Sequence, residues 1–182
     1  MKRTWMALGL VALVALTVVS VAAAHRHTRI KGTPGDDQLT GTPSADVIVA
    51  RAGNDTISAL EGNDRVFAGE GNDSVDAGAG DDRVHGGGGN DTLAGGEGDD
   101  LLRGGRGDDT VDGGPGNDRL RSGGGTDTLQ GGEGDDVLFM IARDHKVDHA
   151  DCGPGNDTVW VNADESDVYA NCEVVKTVSV SG

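Results

Sequence analysis

From Leu39 to Leu138 an aliphatic side chain recurs at every ninth residue, through Ile48, Ile57, Val66, Val75, Val84, Leu93, Leu102, Val111, Leu120 and Leu129. Each stands two residues after an Asp, and most of the residues between successive ones are polar or Gly. An amphipathic helix needs apolar residues three and four apart, and a half-buried strand needs alternation, so neither alone explains a spacing of nine. A fixed period of this kind is the signature of a stacked repeat. Within each nonad the first six residues, rich in Gly, Asn and Asp, read as a turn. The last three read as a short strand whose middle residue points inward while its neighbours point out. The spacing therefore predicts one core side chain per nonad.

Twelve such nonads run from 32 to 139 without an insertion. The sixth position is always Asp: Asp37, Asp46, Asp55, Asp64, Asp73, Asp82, Asp91, Asp100, Asp109, Asp118, Asp127 and Asp136. The fourth position is Gly except at Ser44, and the fifth is Asp or Asn except at Ala45 and Thr126. A single copy would carry little weight, and a disordered acidic linker has no reason to hold one phase twelve times.

The copy Gly95-Gly96-Glu97-Gly98-Asp99-Asp100-Leu101-Leu102-Arg103, and its fellow at 113–121, resemble the RTX nonapeptide Gly-Gly-x-Gly-x-Asp-x-U-x, where U is a large aliphatic residue. This is the haemolysin-type calcium-binding repeat. The resemblance implies an all-β, right-handed parallel β-roll, a β-solenoid of about six coils of roughly 18 residues, two nonads to a coil. It also implies calcium between turns one coil apart, held by backbone carbonyls and the sixth-position carboxylates. The implied ligands are Asp37, Asp55, Asp64, Asp73, Asp82, Asp91, Asp100, Asp109, Asp118, Asp127 and Asp136. The implied metal site also includes the fourth-position glycines, Gly71, Gly80, Gly89, Gly98, Gly107, Gly116, Gly125 and Gly134, which shape the turns so that backbone carbonyls converge on the ion. Two columns of turns leave room for up to about ten Ca2+ ions, each taking 6–8 oxygens. Nonad two lacks the fourth-position Gly, so Asp46 is the weakest ligand, and the first coil reads as a cap.

Composition takes a different meaning once the period is seen. The chain has 182 residues with 32 Gly, two Phe, two Trp and one Tyr, and a formal net charge of −16. By itself that describes a disordered segment. Of the 31 acids, 23 fall inside the array against seven arginines, so the charge reads as ligand capacity. Such acidity excludes a general nucleic-acid binder. One core side chain per nonad is too little to order the array, so calcium is expected to drive its folding.

Outside the array, Lys2 and Arg3, an apolar run to Val19 and Ala22-Ala23-Ala24 read as a secretory signal peptide over 1–24. An uncleaved anchor is the alternative, and no second apolar run of that length follows. A short lead-in occupies 25–31, and a capping region 140–182. That region holds a thirteenth nonad beginning at Cys152, out of phase with the others. Cys172 lies 20 residues beyond Cys152, near one coil length, which favours a bond stapling the cap; free thiols or an intermolecular bond remain open. Trp160, Tyr169, Val174 and Val175 are expected to close the core.

The outward faces differ. Odd nonads carry Thr or Ser after most of their Asp residues, while even nonads carry a basic strip of Arg65, Arg83, Arg103, Arg119 and Arg121. Stacked like charges are unfavourable, so this strip invites an anionic surface polysaccharide; solubility and edge protection are the plainer alternative. No catalytic motif stands out. His145-Lys146-Val147-Asp148-His149 has Lys where a zinc-protease helix needs Glu. The expected protein is a secreted, non-enzymatic calcium-binding β-roll without a transmembrane span once the signal is removed. A cell-surface interaction module is the second possibility.

Overall fold

In the computed structural model the described residues are 27–141, 144–163 and 166–179. The signal-peptide segment 1–24 lies outside them. The described chain is all strand, with no helix, and winds as a parallel β-solenoid of about eight turns. Successive strands alternate between a nine-stranded and an eight-stranded sheet. Every pairing between these strands is parallel, and register through the array advances by two nonads: Arg65 pairs with Arg83, Val66 with Val84 and Phe67 with His85. Two nonads per coil is therefore the architecture.

Strands in the middle of the roll are twice as long as the sequence pattern predicts. Arg83–Gly88 and Leu101–Arg106 each hold six residues, running from the seventh position of one nonad through the third of the next. The tight turn is left with positions four to six. Side chains alternate along a strand, so two positions per nonad face inward, the eighth and the following first. Ala50, Ala59, Ala68 and Ala77 at first positions are fully buried. The single core residue per nonad expected from the sequence is thus half of the true count.

The two inward positions are filled in pairs. Ile48, Ile57, Val66 and Val75 lie beside Ala50, Ala59, Ala68 and Ala77, whereas Leu93, Leu102 and Leu129 lie beside Gly95, Gly104 and Gly131. Val84 and Val111 also lie beside Gly, at Gly86 and Gly113, and Leu120 beside Ser122, so the section tapers from Ile with Ala near the N-terminal end to a smaller pair further along.

The second position carries the bend within each strand. Gly69, Gly78, Gly87, Gly96, Gly105 and Gly114 have φ between 102° and 137° there. Arg51 and Leu60 adopt the same conformation with φ of 97° and 82°, a strained state for L-residues. The N-terminal coils thus hold strain that the glycine coils lack.

The solenoid runs past the array at both ends. Thr28–Lys31 pairs with the strand at 46–52. Beyond 139, His149–Asp151, Thr158–Asn162, Val168–Ala170 and Val174–Val178 extend both sheets. The disulfide between Cys152 and Cys172 closes this end, with Cα atoms 5.2 Å apart. Tyr169 and Val175 take inward registers beside Ala150 and Val159, and as the last rungs they stay about two-fifths exposed. Trp160 departs from expectation. It sits on the outer face, its ring 6.1 Å from that of Phe139, with the Lys176 ammonium 4.7 Å from its centre.

Candidate metal centres

The turns stack in two columns, and each column is held by two ladders of side-chain oxygens. In the first, the backbone N–H of a sixth-position Asp donates to Oδ1 of the Asp one coil later. Asp82 donates to Asp100 at 2.8 Å, Asp100 to Asp118 at 2.8 Å and Asp91 to Asp109 at 2.8 Å. The Asp backbone carbonyl is also engaged, accepting the N–H that follows the next coil's Asp, as Asp100 does from Arg119 at 2.8 Å.

The second ladder runs the opposite way at the fifth position. Asn72 N–H donates to Asn54 Oδ1, Asn90 to Asn72 Oδ1 and Asp108 to Asn90 Oδ1, each at 2.8–2.9 Å. Only one acceptor oxygen is used, which is why Asn and Asp alternate freely there. These bonds lie on the exposed rim of each turn.

From Asp55 to Asp136 the sixth-position carboxylates are buried, and each has one oxygen left over. Oδ2 of Asp55, Asp64, Asp73, Asp82, Asp91, Asp100, Asp109, Asp118, Asp127 and Asp136 is shielded from solvent without a hydrogen-bond partner. A buried carboxylate oxygen in that state needs a proton or a cation. At Gly95 an added Cβ would meet both Asp100 Oδ2 and, at 2.6 Å, the carbonyl of Gly113 in the next coil. Carboxylate and carbonyl thus converge on one small cradle, repeated at Gly86, Gly104 and Gly113. An all-oxygen set of this kind suits a hard cation such as calcium and not a thiol- or imidazole-seeking metal. Among the described residues no three of His, Cys, Asp and Glu gather as a metal cluster, so carbonyls must supply much of any coordination shell.

The columns are not uniform. Asp37 and Asp46 differ from the other rungs because Thr stands at their second position. Asp37 Oδ2 accepts from the N–H and hydroxyl of Thr33, and Asp46 Oδ2 from those of Thr42. Their carboxylates are satisfied within their own turns. Next come rungs with Ala at the first position, where a methyl enters the cradle. Asp91, Asp100, Asp109, Asp118 and Asp136 have Gly there and the most open cradles. Turn-shaping Gly71, Gly80, Gly89, Gly98, Gly107, Gly116, Gly125 and Gly134 all have positive φ, from 112° to 147°, as the tight turn demands.

Both columns continue where the sequence period fails. Asp127 N–H donates to Asp148 Oδ1 at 2.9 Å, Asp148 to Asp167 at 3.1 Å, Asp136 to Asp157 at 2.8 Å and Asp157 to Glu173 at 2.8 Å. Asp144 adds a side-chain acceptor beside this column, taking the N–H of Gly125 at 2.5 Å. Asp148, read from sequence only as part of a His-flanked segment, is thus a ladder rung. The available signal was an acid two residues before an inward-facing side chain: Asp148 before Ala150, Asp157 before Val159, Asp167 before Tyr169 and Glu173 before Val175.

From Asp55 to Asp136, and at Asp148, Asp157 and Asp167, burial holds the carboxyls above their ordinary value near 3.8, outweighing the hydrogen bonds that favour ionisation. Asp82, Asp91, Asp118 and Asp127 are pushed up to about 7, and Asp64, Asp100, Asp109, Asp136 and Asp148 to about 6. A carboxyl with a raised folded-state pKa supports the stack most fully below the unfolded value, and that support fades as pH climbs through 6 to 7. In chelator, strand content followed by circular dichroism is therefore expected to rise as pH is lowered from about 8 to about 5. Calcium binding near pH 6 is expected to release protons, read by calorimetry in buffers of different ionisation enthalpy.

Of the predicted basic residues, Arg65, Arg83, Arg103, Arg119 and Arg121 all lie on the outer face of the nine-stranded sheet, on four consecutive strands. Comparison with curated proteins gives no match. Comparison with protein families matches the RTX calcium-binding nonapeptide repeat in four copies, over residues 31–66, 58–93, 85–120 and 121–139. These copies span more than half of the chain and coincide with the stacked turns, so the chain belongs to the RTX calcium-binding nonapeptide-repeat family.

Proposed function

We propose that this is a secreted calcium-binding protein whose roll folds when extracellular Ca2+ fills the stacked turns. The observation that carries the reading is the row of ten buried carboxylates, each with one unpartnered oxygen. Brought together without cations, they are unfavourable through burial and mutual repulsion. Binding an ion that the unfolded chain does not hold converts that penalty into folding energy. We place the ions between coils, at up to about ten sites, with Asp55 to Asp136 supplying the charged oxygens.

Export is supported by the signal-like segment at 1–24 and by a disulfide, which persists in oxidising compartments. No described helix is long and apolar enough to cross a membrane. The role we assign is structural and ion-binding rather than enzymatic. On the arginine-bearing face we infer a polysaccharide partner at the cell surface.

The test is a calcium titration of the chain lacking residues 1–24, followed together by circular dichroism and calorimetry. Strand signal is expected to be small in chelator at pH 7.5 and to grow cooperatively with calcium, in the range of about 10⁻⁴–10⁻³ M. Full strand signal in excess chelator would overturn calcium-coupled folding.

A further inference from the structure

We propose that the outer face of the nine-stranded sheet docks a linear acidic glycan, a chain of sugars bearing carboxylates. This deepens the calcium reading and rests on it, because the face exists only when the coils are stacked. Its two outward rows are set by the register. One passes through Arg65, Arg83, Leu101 and Arg119, and the other through Phe67, His85, Arg103 and Arg121. Four consecutive strands thus present five arginines with no acid in either row, on a chain of net charge −16. Among the described residues the one ion pair within 4.0 Å is Arg106 with Glu70, at 2.7 Å, so these five guanidiniums have no such carboxylate partner.

Beside the second row lies a groove of about 460 Å³. Its floor includes Gly69, Gly87 and Gly105, stacked in register, where bare backbone lines a trench across the strands. One wall is Phe67, His85 and Arg103; the other is the Glu70–Arg106 pair. Phe67 is 46% exposed, a large apolar ring with nothing over it. His85 Nδ1, on the same wall, is shielded from solvent and has no hydrogen-bond partner. The trench follows the stacking axis, where coils repeat at about 4.8 Å. An extended hexose chain advances by nearly that distance per sugar, so successive carboxylates can meet successive coils. Guanidinium forks pair with carboxylates bidentately, and aromatic faces pack against the C–H faces of sugars.

Width separates a glycan from a nucleic acid. The cationic face is two side chains broad. Exposed acids border it at the turns, Asp81, Asp99 and Asp135 on one side and Asp108 on the other. A duplex would overhang both acidic edges, whereas a single sugar chain lies between them.

The experiment measures binding of short oligogalacturonates to the calcium-loaded chain by calorimetry. Neutral dextran oligomers and oligothymidylate of equal charge serve as comparisons. Saturable binding to the oligogalacturonate is expected, with none to dextran. Arg83→Glu/Arg103→Glu is expected to weaken it at least about tenfold while leaving the calcium titration unchanged. Arg83→Gln/Arg103→Gln, a milder change, should weaken it in the same direction and serves if charge reversal disturbs folding. No binding by the unaltered chain, equal binding to oligothymidylate, or unchanged binding in both variants would overturn the proposal. Unchanged binding would show that calcium, not arginine, bridges the two acidic partners. Failure of calcium-coupled folding is read separately, from the strand signal of the unaltered chain.

Discussion

Asp100→Asn/Asp118→Asn is expected to fold more readily than the unaltered chain in chelator, yet to respond less to calcium. Asn keeps the Oδ1 acceptor, so the N–H groups of Asp82 and Asp100 retain their bonds, each 2.8 Å in the native ladder. What changes is the second oxygen. In the native chain Asp100 Oδ2 is buried without a partner, beside the Gly113 carbonyl. An amide places a donor there and removes a charge from a column of charges, relieving the calcium-free roll. The same exchange deletes a charged ligand from each adjacent site, so the calcium midpoint is expected to rise by about tenfold or more. Asp100→Ala/Asp118→Ala separates the two roles. It also removes both acceptors, leaving buried N–H groups at about 1–3 kcal/mol each, and should lose strand signal in chelator and calcium alike. Circular dichroism in both conditions reads all four results. An Asn variant that tracks the unaltered chain in both would show that these carboxylates are not calcium ligands.

The second large effect is steric. Gly98 lies in a turn with φ of 128°, and a Cβ there would meet the carbonyl oxygen and carbon of Gly80 in the coil below. Neither obstacle is a movable side chain. Gly98→Val adds a β-branched residue to a conformation that costs L-residues about 1–3 kcal/mol before the clash is counted. The coils must separate locally, and a loss near 3 kcal/mol lowers the melting temperature in calcium by on the order of 10 °C. Gly35→Ala is the control. It has the same repeat position, no positive φ, and nothing within 4 Å of the added methyl, so the melting temperature should hardly move.

The period of nine was sufficient to read a stacked repeat and its recurring Asp, because twelve uninterrupted copies leave no other phase, while two nonads to a coil came from the resemblance to the RTX repeat. Three features were hidden for separate reasons. The second inward position is occupied by Ala or Gly, and small residues carry no hydrophobic signal even when fully buried, as Ala59 and Ala77 are. The Thr33 and Thr42 bonds to Asp37 and Asp46 depend on side-chain rotation within a turn, which spacing alone does not reveal. The rungs at Asp148, Asp167 and Glu173 were masked by changed loop lengths, whereas Asp157 was legible as the sixth position of the thirteenth nonad. There the rule of an acid two residues before an inward side chain survives, while the period does not.

The disulfide and the one-coil reach of the ladders have a mechanical consequence. In the array each rung grips the residue 18 positions on and nothing further, so coils bear an end-to-end load in series. Under tension such a stack yields in equal steps, each freeing about 60 Å of contour for an 18-residue coil. The Cys152–Cys172 bond takes the chain between those residues out of this series. The last coil remains a closed loop under load, and reduction adds its length to what the roll can release.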